Sequence, residues 1–97
     1  MTSSGESWHI SKIANEARRA IESLDLDTQE RILTELEGLQ ANPFLGDVKR
    51  IKGKKDIYRL RSGRFRVYFR IIAVSRSIEI LLFDQRGAIK NKHLQRL

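Results

Sequence analysis

The strongest constraint on the fold is a stretch, residues 57–83, in which apolar and basic side chains alternate with a period of two. From position 65 to position 71 the odd residues are Phe, Val, Phe and Ile, and the even residues are Arg, Tyr and Arg. In the run before it, Arg59 and Arg61 flank Leu60. Successive side chains of a β-strand leave opposite faces of a sheet, so the stretch predicts strands with one apolar and one basic face.

A tight turn joins the two runs, because Ser62-Gly63-Arg64 contains the glycine that hairpin loops favour. Antiparallel pairing, with the apolar side chains turned to the core, places the arginines together on the outer face. Guanidinium groups pair bidentately with phosphate and stack on bases, so such a surface suits a polyanion. We call this surface the arginine face; its members are Arg59, Arg61, Arg66, Tyr68 and Arg70.

Composition narrows the class of protein. The chain has 97 residues, enough for one domain, 1–97, in which we expect 1–6 to form a flexible tail. Its net charge of +7 favours a polyanionic partner. The absence of cysteine excludes disulfides and thiolate metal sites, and no apolar run approaches the ~20 residues of a membrane span. We expect a cytoplasmic protein that binds no metal, cofactor or membrane.

Two amphipathic helices are predicted before the basic region. Ser11 is the expected N-cap of the first, and its apolar stripe runs over 13–24. Asp27 is the expected N-cap of the second, with Glu30 completing a capping box, and the Asn-Pro pair at 42–43 ends it. The expected apolar stripe of the second helix is Ile32, Leu33, Leu36 and Leu39.

The remaining elements complete an α+β layout. We expect an edge strand at 8–10, a weak strand at 48–51 and a last strand at 78–83, with Phe44 and Leu45 holding the chain against the core. The predicted fold is a small antiparallel, meander-like sheet of four to five strands with the N-terminal helical hairpin packed on one face. The apolar residues expected to return to the core from a short C-terminal helix are Ile89, Leu94 and Leu97.

Basic residues concentrate around the predicted hairpin. Between positions 49 and 70 the chain has ten lysines and arginines and a single acidic residue, Asp56. Such an imbalance is self-repelling unless an anion is often present. Arginine dominates within the strands, whereas lysine dominates the loop 52–56, where a mobile point charge is sufficient to steer a polyanion.

The run Tyr-Arg-Leu-Arg-Ser-Gly-Arg-Phe-Arg-Val-Tyr-Phe at 58–69 resembles the central signature of the RelE/ParE superfamily, the toxins of type II toxin–antitoxin systems. The resemblance covers most of the chain, from the edge strand and helical hairpin to the last strand and a following arginine. It implies a ribosome-dependent endoribonuclease that cuts messenger RNA by attack of a ribose 2′-OH on the adjacent phosphate, without a metal. It also implies an antitoxin protein that holds the toxin inactive.

The resemblance also assigns site residues. Fixed cations would stabilise the negative charge of a phosphorane-like transition state. The family commonly has an Arg-x-x-x-Tyr element after the last strand, but Lys90 stands at the tyrosine position. Lys90 either replaces the tyrosine as a charged catalytic or phosphate-binding group or marks a weakly cleaving, ParE-like member. His93, which lies close by, is the other candidate to replace the tyrosine. The family's basic catalytic positions match Arg59, Arg61, Arg66 and Arg86. The candidate RNA-binding residues are Lys52, Lys54, Lys55, Arg64, Tyr68 and Arg70.

Two other functions fit the same residues. The missing tyrosine favours a ParE-like inhibitor of DNA gyrase, and a non-catalytic basic nucleic-acid-binding module would show strong salt dependence without toxicity. An antitoxin could cover the arginine face with an acidic segment, or add a strand to 8–10 or to the last strand. The expected partners are therefore an antitoxin, the ribosome and messenger RNA.

Overall fold

The structure, a computed structural model, describes residues 7–85, 89 and 91–97. Among these described residues, no helix is long and apolar enough to cross a bilayer. The elements in chain order are β1 (His9–Ile13), α1 (Asn15–Glu22), α2 (Leu26–Ala41), β2 (Val48–Arg50), β3 (Ile57–Ser62), β4 (Phe65–Ile72), a 3₁₀ turn (Ala73–Ser75), β5 (Ser77–Gln85) and α3 (Asn91–Gln95).

Five strands form one sheet in the order β1-β5-β4-β3-β2. The strands β2 to β5 form an antiparallel meander, as predicted. β1 is an edge strand, as predicted, but it pairs parallel with β5. Parallel neighbours need a long connection, which the helices and the other strands supply here. β1 pairs with β5 only over Ser77–Ile80, so that part of the last strand cannot accept an added strand, and for 81–85 strand addition stays a prediction.

β3 and β4 form the hairpin that the sequence predicts. Ser62 faces Phe65 across the ladder, so the loop consists of Gly63 and Arg64. Gly63 has a φ of +60°, the left-handed value that type II′ turns require at their first loop position. A Cβ at Gly63 would lie 3.1 Å from Nη2 of the exposed Arg31 side chain, which can move aside, so the conformation is what favours glycine here.

The main core lies between the apolar face of the sheet and the helices α1 and α2. Phe69 and Ile80 of the sheet and Ile32 of α2 are completely buried in it, and Leu36 joins them one turn along α2. Leu33 was expected in this stripe, but it is 51% exposed. A helix turns by about 100° per residue, so the neighbour of the centrally placed Ile32 points away from the sheet.

The predicted start of the first helix is wrong. Ser11 lies within β1, and hydrogen bonding to β5 continues until the Ala14 N–H donates to the Ile80 carbonyl at 2.8 Å. α1 begins only at Asn15, and Ala14 provides no side-chain cap. Strand pairing along this edge therefore overrides the local capping signal of Ser11.

Asp25 caps α2, two residues before the expected Asp27. Its Oδ2 accepts the Thr28 N–H at 3.1 Å and its Oδ1 accepts the Thr28 hydroxyl at 2.7 Å. These hydrogen bonds lower the pKa of Asp25, and the larger effect comes from the Thr28 hydroxyl. Asp27 lies in the first turn, where a carboxylate still interacts favourably with the helix dipole. α2 ends at Ala41, as the following Asn-Pro pair predicts.

The connection after α2 is held by one of its two large apolar residues. The ring of Phe44 packs edge-to-face on Trp8 and on Tyr58, with centroid distances of 6.1 and 5.8 Å. Leu45 is 70% exposed. The prediction that both residues hold the chain against the core is therefore confirmed for Phe44 and wrong for Leu45.

A second, smaller apolar cluster lies on the opposite face of the sheet. Leu94 of α3 covers Tyr68 and Leu82 there, and Ile89 and Leu97 pack at its edge. The prediction that the three C-terminal apolar residues return to the main core is wrong, because they pack on the arginine face instead. α3 therefore covers part of the arginine face.

Candidate functional site

The ladder between β3 and β4 brings the arginines together on one face. Arg61 pairs with Arg66, Arg59 with Tyr68, and Ile57 with Arg70. Directly opposed residues of an antiparallel pair share a face of the sheet. The register thus places all members of the arginine face on the side predicted from the alternation.

Arg59 and Arg61 share one carboxylate, that of Asp47. The distance from Arg59 Nη2 to Asp47 Oδ1 is 3.7 Å, and that from Arg61 Nε to Asp47 Oδ2 is also 3.7 Å. Both distances exceed the 2.7–3.2 Å of an N–H···O hydrogen bond. Arg59 Nε is buried and has no hydrogen-bond partner. Asp47 thus offsets the charge of the pair while most of their donors remain available.

Arg66 lies beside a buried acid. Its Nη1 is 3.8 Å from Oδ2 of Asp84, which faces Arg66 across the β4–β5 ladder. The Asp84 side chain is 1% exposed. Its Oδ1 accepts the backbone N–H of Ile89 at 3.2 Å. Asp84 therefore links the position of Arg66 to the chain that follows the last strand.

Arg70 occupies the other end of the face, about 13 Å from Arg66 along the strand. Its Nε is 3.4 Å from Oδ2 of Asp56, and its Nη1 is 3.4 Å from Oε1 of Glu79. The Asp56 carbonyl also accepts the Ile71 N–H at 2.9 Å. This guanidinium, which the sequence suggested for RNA binding, is already engaged in bracing the loop 52–56 against the sheet.

Tyr68 is on the arginine face but is inaccessible in this structure. It is 4% exposed, because Leu94 of α3 covers it. Burial raises the pKa of Tyr68, the carboxylate of Asp84 raises it further, and Arg66 and Arg59 oppose this shift. The phenol is therefore neutral over the physiological range. A base could stack on this ring, as the sequence suggested, only after α3 had moved.

A basic cleft of about 530 Å³ lies beside Arg59, between β2, the loop 52–56 and α3. Its charge comes from Lys49, Arg50, Lys52 and Arg59, and Leu94 supplies part of its apolar wall. Lys54 was expected to bind RNA, but its ammonium donates to the Gln95 carbonyl at 2.8 Å and so holds the end of α3. Among the other candidates, the side chains that remain exposed are Lys52, Lys55 and Arg64.

Of the three C-terminal candidates, the structure describes one, His93. Arg86 and Lys90 lie outside the described residues. His93 on α3 lines a different cleft, of about 260 Å³, together with Glu16 and Leu82. Within 7–85, 89 and 91–97, no three His, Cys, Asp or Glu side chains form a group that could hold a metal ion. The described part of the site therefore consists of fixed guanidinium groups with carboxylates beside them.

The sequence analysis did not identify the acids of the site, Asp47 and Asp84. Asp47 precedes Lys49 by two residues, and Lys49 pairs with Arg59, so the period of two places Asp47 on the arginine face. That inference needs the register between β2 and β3, which a connection longer than a tight turn does not fix. The position of Asp84 is harder to infer from the spacing of residues. An irregularity in the β4–β5 register lies between Asp84 and Glu79, so the period of two does not continue along β5.

Comparison with known sequences identifies related proteins. Residues 11–88 match the family model described as ParE toxin of type II toxin-antitoxin system, parDE. Over 60 residues the chain is 40% identical to a Methanocaldococcus jannaschii protein named as a toxin, RelE1, and the match covers 58% of this chain and 67% of that protein.

Solved structures share the fold. A chain of the archaeal RelE–RelB complex from Pyrococcus horikoshii matches with a TM-score of 0.73 and 27% identity, over 86% of this chain and 99% of that chain. The isolated Escherichia coli RelE toxin matches with a TM-score of 0.68 over 93% of this chain and 97% of that chain. Its sequence identity is 12%, so this second likeness concerns the fold alone.

Proposed function

Since this chain belongs to the RelE/ParE superfamily of toxins from type II toxin–antitoxin systems, we propose that it cleaves messenger RNA on the ribosome and so inhibits translation. The observation that carries the proposal is the β3–β4 register, which places Arg59, Arg61 and Arg66 on one face. We place this activity in the cytoplasm, with the ribosome and messenger RNA as partners.

The proposed reaction needs charge stabilisation more than covalent chemistry. The ribose 2′-hydroxyl gives its proton to water and its oxygen attacks the adjacent phosphorus. The bond to the 5′-oxygen breaks, that oxygen takes up a proton, and a 2′,3′-cyclic phosphate and a 5′-hydroxyl result. Arg59 and Arg61 bind the non-bridging oxygens, and Arg66 stands beside them. Cations already fixed where negative charge develops lower the barrier, because little reorganisation is then needed.

We also propose catalytic roles for Arg86 and Lys90. We assign Arg86 to the phosphate and Lys90 to the leaving oxygen, where a cation can also deliver a proton. Lys52, Lys55 and Arg64 are the proposed contacts to RNA phosphates outside the reacting one. Their side chains are exposed, which suits contacts that position the strand without reading its sequence.

The proposed protein partner is an antitoxin with an acidic segment that covers the arginine face. The edge of β1 is poorly suited to strand addition at the expected position. The outward N–H groups of Trp8 and Ile10 already donate to the backbone carbonyl and to the side-chain oxygen of Gln40, both at 2.9 Å. β2, the opposite edge, has three residues. Charge pairing is therefore the proposed basis of the complex, with strand addition at most a minor part.

Inhibition of DNA gyrase is the second candidate, because the matching family model is that of ParE toxins. This function requires binding without cleavage. It predicts loss of supercoiling activity when the protein is added to gyrase, and intact messenger RNA when it is added to ribosomes.

The two candidates separate in one pair of assays. Purified protein is added to programmed ribosomes and, in parallel, to gyrase with relaxed plasmid. We expect truncated messenger RNA and unaffected supercoiling, with truncation lost in the double variant Arg59→Gln/Arg61→Gln. The half-exposed Asp47 tolerates the loss of these cations. Arg66→Ala is a poorer choice, because it removes a cation beside the buried Asp84 carboxylate. Intact messenger RNA with inhibited supercoiling would overturn the proposal in favour of gyrase.

A further inference from the structure

The setting of Asp47 differs from that of Asp84, the other acid beside Arg59, Arg61 and Arg66. Its backbone is fixed, because its carbonyl accepts the Arg61 N–H at 3.0 Å and thereby continues the β2–β3 ladder. Its side chain is 49% exposed, directly before a strand that begins at Val48. The carboxylate can thus rotate into water while the chain that bears it stays in place.

The contacts of Asp47 are electrostatic rather than hydrogen-bonded. Each of its oxygens is 3.7 Å from a nitrogen of a different arginine, Arg59 or Arg61. A carboxylate with two oxygens therefore spans the pair without satisfying either guanidinium by a hydrogen bond. Arg59 Nε, buried and without a hydrogen-bond partner, is a further donor that Asp47 leaves unused. The non-bridging oxygens of a phosphodiester project from a tetrahedral phosphorus, and charge-assisted hydrogen bonds from guanidinium groups to such oxygens are strong.

We propose that Asp47 occupies the site of an RNA phosphate between Arg59 and Arg61 in the RNA-free protein, and that it swings into solvent when the phosphate binds. Asp47 is then a competitor built into the chain, which lowers the affinity for RNA and excludes weaker anions. The inference rests on the proposed function only in taking an RNA phosphodiester as the ligand; it does not require cleavage.

Asp84, on the same face, is a carboxylate that a ligand cannot displace. It is 1% exposed, and it accepts the Ile89 N–H, so its position beside Arg66 is maintained by the fold. Displacing it would leave a charge buried away from water, which is strongly unfavourable. Beside Arg59, Arg61 and Arg66 the described residues thus place one fixed acid and one displaceable acid, and of these two only Asp47 can exchange with a ligand.

The test measures binding of a short single-stranded RNA whose 2′-hydroxyls are methylated, so that cleavage cannot occur. Three proteins are compared over a range of salt concentrations: wild type, Asp47→Asn and Glu37→Gln. Glu37 is exposed on α2, away from the arginine face, and its substitution changes the net charge equally. We expect Asp47→Asn to tighten binding by about three- to tenfold relative to Glu37→Gln, because two partly exposed ion pairs no longer compete. Its log–log salt slope should steepen by at most about 0.7, because in the wild type the arginine pair exchanges Asp47 for the phosphate and fewer counterions are released.

A double-mutant comparison assigns the effect to the arginine pair. In the Arg59→Gln/Arg61→Gln background, the Asp47→Asn substitution should give no gain beyond that of Glu37→Gln. Equal affinities of Asp47→Asn and Glu37→Gln in the wild-type background would overturn the inference, and so would weaker binding by Asp47→Asn, which would make Asp47 a positioning residue. Thermal melts confirm that the variants fold. A protein that binds this RNA as expected but cuts no messenger RNA would contradict the proposed function and leave the role of Asp47 intact.

Discussion

At the scale of single residues, the arginines of the arginine face differ in the carboxylate that each one meets. Arg59 and Arg61 face a half-exposed acid at distances too long for hydrogen bonds. Arg66 faces a buried acid, and Arg70 is held between two acids. A guanidinium that is held by nearby carboxylates is not available to a ligand. The arginines of one strand pair therefore differ in function, and Arg70 is structural while Arg59 and Arg61 can bind a ligand.

The first prediction separates a structural arginine from a ligand-binding one. Arg70→Gln should lower the free energy of unfolding by about 1 kcal/mol, because its two partly exposed ion pairs are lost, and should change RNA affinity little. Arg59→Gln should weaken RNA binding several-fold with little loss of stability. Urea unfolding and RNA titration of both variants check this. The opposite assignment of the two effects would show that Arg70 contacts RNA.

The second prediction concerns alkaline pH. Burial, and then Asp84, raises the pKa of Tyr68 above the value near 10 that it has when unfolded. The unfolded state therefore loses its proton first, and stability should fall as the pH rises above about 10 through the folded pKa. Tyr68→Phe removes this term, so urea unfolding from about pH 8 to 11 should show a smaller fall. Tyr58→Phe is the control, and equal falls in wild type and Tyr68→Phe would contradict the assignment.

At the scale of elements, the β3–β4 hairpin could be predicted in detail and the helix starts could not. The hairpin has a period of two, a glycine that needs positive φ, and a two-residue loop that fixes its register. Ser11 has a valid capping signal, but pairing with β5 holds it in β1. Asp25 and Asp27 are chemically identical, and only contacts with Thr28 show which of them caps α2.

The third prediction tests that cap. Asp25→Ala should lower the melting temperature more than Asp27→Ala, because only Asp25 accepts both hydrogen bonds from Thr28. Since folding lowers the pKa of Asp25, its stabilisation is present above the unfolded pKa and is lost as the pH falls through the folded value. The difference between the two variants should therefore shrink in acid. A larger fall in melting temperature for Asp27→Ala would show that Asp27 is the cap, as the sequence suggested.

The sequence of β5 predicts a strand but does not show that Asp84 belongs to the site. The run 78–83 has apolar residues at consecutive positions, so its alternation does not reveal which residues face the arginines. The structure resolves this with a register irregularity opposite Tyr68 and Phe69, after which Asp84 faces Arg66. A bulge of this kind changes the face on which later side chains emerge, and it is not encoded in the spacing of a single strand.

At the scale of the whole molecule, charge is divided between two layers. Residues 14–42, the helical hairpin, contain seven acidic and three basic side chains, whereas 49–70 contain ten basic and one acidic. A molecule with this division is steered toward a polyanion with its sheet leading and its helices facing away. The sequence predicted the basic face of the sheet and the α+β class, since both follow from local patterns. It did not predict the parallel placement of β1 or the cover that α3 provides, since both depend on contacts between distant parts of the chain.

The most direct test of the proposed cleavage is a map of messenger RNA 5′ ends in a growing bacterium. Expression is induced for wild type, for Arg59→Gln/Arg61→Gln and for Glu37→Gln, which keeps the arginine face unchanged. We predict new 5′-hydroxyl ends within translated regions and arrested growth for wild type and Glu37→Gln, and neither effect for the double arginine variant. Growth arrest by the wild-type protein with an unchanged set of 5′ ends would contradict the claim that the arginine face cuts messenger RNA.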